Sequence, residues 1–149
     1  MFGVGVPPRE AAAMVVCDLS RGGAVLLGRR NPALPFMGGH HAFLGGGLVP
    51  DDAEVPVVNG APAPFLAGAV REVFEETGLL LAEGPIPGPD ALAAARAALN
   101  RGGLRFSAWL REAGCRVDAA AFTPAGRWIT PSFSPIRYDT QYFLHRRAG

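Results

Sequence analysis

Glu72, Glu75 and Glu76 are the residues whose type and spacing are best suited to chemistry. They lie in "REVFEETGLL", Arg71 to Leu80, with an arginine in front of them and Gly78 behind. At about 100° per residue on a helical wheel, Glu76 falls about 40° to one side of Glu72 and Glu75 about 60° to the other, so the three carboxylates share one sector. Leu66, Val70, Val73 and Phe74 occupy the adjoining sector and point to a core. Like charges at these spacings oppose one another by roughly 0.2–0.5 kcal/mol per pair. Carboxylates in the last turn also face the negative end of the helix macrodipole. A divalent cation removes both conflicts, since Mg²⁺ takes carboxylate and carbonyl oxygens, keeps several waters and is completed by substrate phosphates. A solvated acidic helix end is the competing reading of the same letters.

The element that must carry these acids is a helix from Pro64 to Gly78. Pro64 suits its first turn and Gly78 its stop. Upstream, "AAAMVVCDL" (Ala11–Leu19) and "AVLLGRR" (Ala24–Arg30) read as an antiparallel strand pair joined by the turn "SRGG". "NPALPFMGGHH" reads as a loop, and "AFLGGGLVPDD" as a brief apolar approach to three glycines and two acids. "AEVPVVNGAPAP" reads as an irregular insertion. "PDALAAARAALNRGG" is a second helix with Asp90 as its N-cap, and "RFSAWLREAG" a third that stops at Gly114. The tail "GRWITPSFSPIRYDTQYFLHRRAG" is extended and closes on the strand "YDTQYFL". A strand so near Gly149 lacks an evident cover, which makes a partner from a second chain, as in a homodimer, or a shortened product the two expectations.

At 149 residues the sequence is expected to form one domain, 1–149, and its 49% hydrophobic content supports a packed core. Fourteen basic and thirteen acidic residues leave a net charge of +1, too little for a field that would draw the chain to nucleic acid or to a membrane. The start, "MFGVGVPPREAAAMVVCDL", lacks the pattern of a signal peptide, and no apolar run approaches the roughly 20 residues that span a bilayer, so a cytoplasmic location is expected. Cys17 and Cys115 show no metal-ligand spacing and read as free thiols, with a disulfide between them as the alternative.

"REVFEETGL" resembles the second half of the Nudix box, whose pattern is Arg-Glu-U-x-Glu-Glu-x-Gly-U with U aliphatic. Arg71, Glu72, Val73, Glu75, Glu76, Gly78 and Leu79 match it. "FLGGGLVPDD" resembles the family's Phe-Pro-Gly-Gly entry, with Leu44 in place of proline and Asp52 in place of the first glutamate. Eighteen residues separate Asp52 from Arg71, where the family has seven. That insertion, together with "RWITP" and "RYDTQYFL", is similar to the subgroup that includes coenzyme A and acyl-CoA diphosphatases.

The resemblance implies an α/β fold, a Nudix-type α/β/α sandwich around a mixed sheet, here expected to lack the last strand and helix. It implies Mg²⁺- or Mn²⁺-dependent hydrolysis of a nucleoside diphosphate linked to another moiety, coenzyme A or a derivative among them. A Nudix-fold binding or sensor module without turnover is the alternative. Glu72 and Glu76 would be the main metal ligands, with Glu75 a third and the Gly45 carbonyl a further oxygen. Arg71 would hold the loop by pairing with Asp52, unless Asp51 and Asp52 form a surface turn. Glu75, Glu76 and Arg71 are the candidate catalytic residues, with His40, His41 or a residue of a dimer partner as fallback bases. Arg29, Arg30 and Arg137 are candidate phosphate partners, since guanidinium suits bidentate oxyanion contacts. Trp128, Phe43 and Tyr138 are candidate stacking residues, with aromatic core as the alternative.

Overall fold

The structure is a computed structural model that describes residues 5–35, 37–60 and 63–148. The sequence readings at Met1–Val4, Phe36, Ala61, Pro62 and Gly149 lie outside the described residues. Nine strands and three α-helices are assigned among the described residues.

The first strand, β1 (Arg9–Asp18), organises the sheet. Its C-terminal end pairs antiparallel with β2 (Ala24–Val25), Cys17 opposite Val25. Its first half pairs antiparallel with β5 (Leu44–Gly47), Met14 opposite Leu44 and Ala11 opposite Gly47. On its other side β1 runs parallel to β9 (Tyr138–Arg147), which pairs antiparallel with β8 (Phe122–Ile129). The hairpin expected after Ala11–Leu19 is present, but its second arm is not one strand. Ala24–Val25 stays on β1, whereas β3 (Gly28–Arg29) leaves to pair with β4 (His41–Ala42). The last strand is a further correction: it reaches Arg147 and lies between β1 and β8, so its backbone is paired on both sides within this chain.

Side chains alternate across the sheet. Ala12, Met14 and Val16 face the helical layer, where α1 (Pro64–Thr77) contributes Leu66, Val70, Val73 and Phe74 to the same core. Pro64 and Gly78 bound α1 as the sequence indicates, Gly78 taking φ 80°, a left-handed conformation that glycine adopts without penalty. The second helix, α2 (Pro89–Asn100), has Gly88 rather than Asp90 at its N-cap; Pro89 occupies the first position and Asp90 falls in the first turn without a side-chain cap bond. The third, α3 (Phe106–Glu112), packs Phe106 and Trp109 on Phe74, with ring centroids 5.9 and 5.3 Å from it.

The described residues between Asp52 and Arg71 form more regular structure than their proline content indicates. A 3₁₀ turn covers Pro50–Glu54, Val55 enters the core, and β6 (Val57–Val58) pairs parallel with β7 (Val117–Asp118). Asp51 accepts from the Ser107 N–H at 2.9 Å and its hydroxyl at 2.6 Å, which caps the start of α3 from outside that helix. Cys17 and Cys115 are free thiols. No described helix is long and apolar enough to cross a membrane.

Phe74 is fully buried between the sheet and α3. Phe74→Ala is expected to lower stability by about 3–5 kcal/mol, read as a reduced urea midpoint with unchanged slope.

Candidate functional site

The site forms where α1 crosses the free edge of β5. In an antiparallel ladder, alternate residues direct both backbone polar groups toward the partner strand and the intervening ones direct both away. The Leu48 N–H donates to the Glu10 carbonyl at 3.0 Å, so Gly45 and Gly47 present their amides and carbonyls to the open edge. The Gly47 carbonyl accepts from Arg71 Nη2 at 3.0 Å, and the backbone of Gly45 hydrogen-bonds to the Glu76 carboxylate. Gly46 faces α1 itself. A Cβ there would lie 2.5 Å from Glu72 Oε1, and one on Gly45 would lie 2.4 Å from the Ala12 carbonyl. The glycine run is therefore a close-approach device, letting strand and helix meet at van der Waals distance.

Arg71 lies beneath this edge, with 4% of its surface exposed. Its Nε donates to Asp52 Oδ1 at 2.7 Å and its Nη2 to Asp52 Oδ2 at 3.1 Å, so the pairing with Asp52 is made and is buried. Nη1 donates to Glu72 and to Glu75 at 3.0 Å each. With Gly47, all five guanidinium N–H groups have acceptors. Burial alone would lower the affinity of Arg71 for its proton, but the hydrogen bonds and charge of Asp52, then Glu72 and Glu75, more than reverse this. Asp52 is itself held by the Val49 N–H at 2.9 Å.

The acids differ in environment. Burial pushes the Glu72 carboxyl up, and Arg71 works against that shift. Burial of its inner atoms, then repulsion from Glu72 and Glu75, pushes Glu76 up to about 7, although the rest of its side chain reaches solvent. Arg30 opposes that rise. Among the described residues no group of three His, Cys, Asp or Glu side chains is arranged to hold a metal ion. The donor chemistry nonetheless fits a hard divalent cation: neighbouring carboxylates whose charge is poorly compensated, beside the carbonyl of Gly45 on the strand edge.

Two cavities flank the glycine edge of β5, and Glu76 lines one of them. One of about 440 Å³ is lined by Gly28, Arg29, Arg30, Phe43, Gly45 and Glu76. The other, about 370 Å³, lies over the sheet face opposite the helices. Ala11, Ala13 and Thr140 line it, with Trp128, Tyr138 and Tyr142 around them. Arg30, Phe43 and Gly45 belong to both, and Phe43 meets Tyr142 edge to face at 6.2 Å between centroids. His40 and His41 line the second cavity.

Arg29 and Arg30 both line the first cavity, as Glu76 does. Arg137 does not: it lines neither cavity, and its Nε and Nη1 donate to the Thr130 carbonyl at 3.0 Å and the Val6 carbonyl at 2.8 Å. It pins the chain before β9 instead. Asp139, in the "RYDT" segment, pairs with Arg127 at 2.7 Å. Arg96 and Asn100 of α2 were missed by the sequence reading, although both reach the end of α1. The available signal was an arginine in an otherwise alanine-rich helical face, four residues before an asparagine.

Two outcomes follow from this geometry. Asp52→Ala leaves Arg71 buried without its main partner, and a loss of roughly 3–5 kcal/mol is expected in chemical denaturation. In protein kept free of divalent ions, folded Glu76 holds a proton that the unfolded chain has released between about pH 4.5 and about pH 7, so its contribution to stability falls as pH rises through that window. Urea midpoints in a chelating buffer should show this slope, and Glu76→Gln should flatten it.

The solved NUDIX hydrolase from Alicyclobacillus acidocaldarius superposes with a TM-score of 0.78 and 33% sequence identity, over 96% of this chain and 71% of that one. A Nudix hydrolase from M. Smegmatis, RenU, is more remote: TM-score 0.44, 18% identity, 95% of this chain and 62% of its own. No protein-family model matches the chain. No curated protein matches it either.

Proposed function

The chain belongs to the Nudix hydrolase family, hydrolases that act on phosphoanhydride bonds, and from that premise we propose a specific division of labour among its residues. Glu72, Glu76 and the carbonyl of Gly45 would hold Mg²⁺ or Mn²⁺, with Glu75 as a third carboxylate near it. The observation that carries this reading is the seating of Glu72 and Glu76 against Gly45 and Gly46, with burial raising the proton affinity of both acids. Poorly compensated carboxylates that cannot move apart gain most from a cation.

When bound, the ion neutralises phosphate oxygens and favours a nucleophilic water. The chain's own residues supply the remainder. Arg29 and Arg30 receive the diphosphate at the mouth of the first cavity. Arg71 fixes the helix against the glycine edge and keeps Glu72 and Glu75 in place. Glu75, with about a quarter of its side chain exposed at 24%, accepts the proton of the attacking water. The hydroxyl adds to one phosphorus, the bridging P–O bond breaks, and the proton passes to the departing phosphate. The substrate is a nucleoside diphosphate joined to another group, with coenzyme A or a derivative as our assignment. The aromatic cavity around Trp128, Tyr138 and Tyr142 is suited to a planar base.

One observation favours a binding module without turnover: Glu72 and Glu75 both engage Nη1 of Arg71, so two of the three acids already have a partner. A panel of coenzyme A, nucleotide sugars and ADP-ribose, incubated with Mg²⁺ or Mn²⁺, separates the readings. Turnover to two phosphate-terminated products is expected, lost on chelation and lowered roughly a hundredfold or more in Glu76→Gln. Tight binding of a panel member with no turnover under either ion would establish the binding module instead.

A further inference from the structure

The turn that bears the acids has a support outside α1. Helices end with carbonyls that have no intrahelical donor. At the end of α1 the Phe74 carbonyl accepts from the Gly78 N–H at 2.8 Å, and the Val73 carbonyl accepts from Thr77 Oγ1 at 2.6 Å. The next two carbonyls are taken by α2. Arg96 donates through Nε to Glu75 O at 2.8 Å and through Nη2 to Glu76 O at 2.6 Å. Asn100 Nδ2 adds a second bond to Glu75 O at 3.2 Å. Arg96 and Asn100 are four residues apart, so they share one face of α2.

One planar guanidinium therefore grips two successive peptide planes, and these belong to Glu75 and Glu76. Lysine carries the charge but cannot reproduce the fork. The cation also sits at the negative end of the macrodipole, where the acids are least welcome. A frayed last turn would carry Glu76 away from Gly45, because its side chain follows its own backbone. Thr77 and Gly78 secure the carbonyls of Val73 and Phe74 just before them, which leaves the peptides of Glu75 and Glu76 dependent on α2.

We infer that Arg96, assisted by Asn100, is a positioning residue of the site, holding the last turn of α1 so that Glu76 faces the glycine edge. The inference rests on the proposed metal-dependent reading and touches neither substrate nor reacting atoms.

The test compares the full chain with Arg96→Ala, Arg96→Lys, Asn100→Ala and Glu76→Gln. Val117→Ala is the control, a core substitution in β7, on neither α1 nor α2. Amide hydrogen exchange over residues 72–80 and Mn²⁺ binding by electron paramagnetic resonance are read on each. Arg96→Ala should speed exchange after Glu75 and weaken Mn²⁺ binding roughly tenfold, Arg96→Lys should restore only part of either, and Asn100→Ala should show a smaller change in the same direction. Val117→Ala should melt earlier yet bind Mn²⁺ as the parent does. Unchanged exchange in Arg96→Ala overturns the inference, and so does a Val117→Ala variant that loses as much Mn²⁺ affinity. Should Arg96→Ala not fold, Arg96→Lys and Asn100→Ala decide by the same readouts. If the parent and Glu76→Gln bind Mn²⁺ equally, the metal reading fails, while the exchange data still decide the role of Arg96.

Discussion

A buried guanidinium is the constraint from which the site's geometry follows. Removing a charge from water is costed in several kcal/mol, and only close geometry with every donor satisfied recovers it. Arg71 meets that condition through acceptors from three separate segments: Asp52 in the 3₁₀ turn, Gly47 on the strand edge, and Glu72 and Glu75 on its own helix. No one of these can shift without leaving an unmatched charge or donor. The rotation of α1 about its axis is thereby fixed relative to β5, and so is the direction in which the acids point.

The glycine edge supplies the complementary condition. Helix and strand can approach this closely only because Gly46 places no Cβ into the Glu72 carboxylate. The outward carbonyls and amides of Gly45 and Gly47 then become available to side chains of α1, as edge-strand groups must be if they are not to remain unpaired. Packing on the far side of α1 is apolar and continuous, from Leu66 to Phe74 and on to α3. The helix is thus held by a core on one face and by a polar network on the other, an arrangement that lets like charges stand close together.

What the sequence disclosed depended on how local each signal was. The limits of α1 were legible because Pro64 and Gly78 act within their own turns, and the shared sector of the three glutamates follows from helical periodicity alone. The neighbours of β9 were not legible. Its pairing with β1 joins residues nearly the whole chain apart, and a strand's own letters do not name its partners. The two-residue strand Val57–Val58 was hidden among prolines for the same reason, since only Val117 opposite it makes it a strand. Asp90 lost the cap position because Pro89 fits the first helical turn and moves the boundary two residues back, to Gly88. Arg137 illustrates a different limit: arginine's donors go to whichever acceptors the fold presents, and here those are the carbonyls of Val6 and Thr130.

The segment between Asp52 and Arg71 raises the sharpest physical question, because it puts eighteen residues between the two halves of the central ion pair. Chain length is a weak obstacle. Doubling a loop adds only about 0.6 kcal/mol of closure entropy, and the segment recovers part of that by burying Val55 and pairing Val57 with Val117. Reach is the stronger constraint, since a short aspartate side chain must be brought to the guanidinium by its backbone. The 3₁₀ turn at Pro50–Glu54 does this. Asp51 is anchored by Ser107 at the start of α3, and the Val49 amide bonds the Asp52 carboxylate, so the turn is held firmly enough for Asp52 to reach Arg71 in a fork-to-fork pair. The aspartate and the described residues that follow it therefore belong together: Val55 and Val57 are anchored beside the turn that brings the short Asp52 side chain within reach.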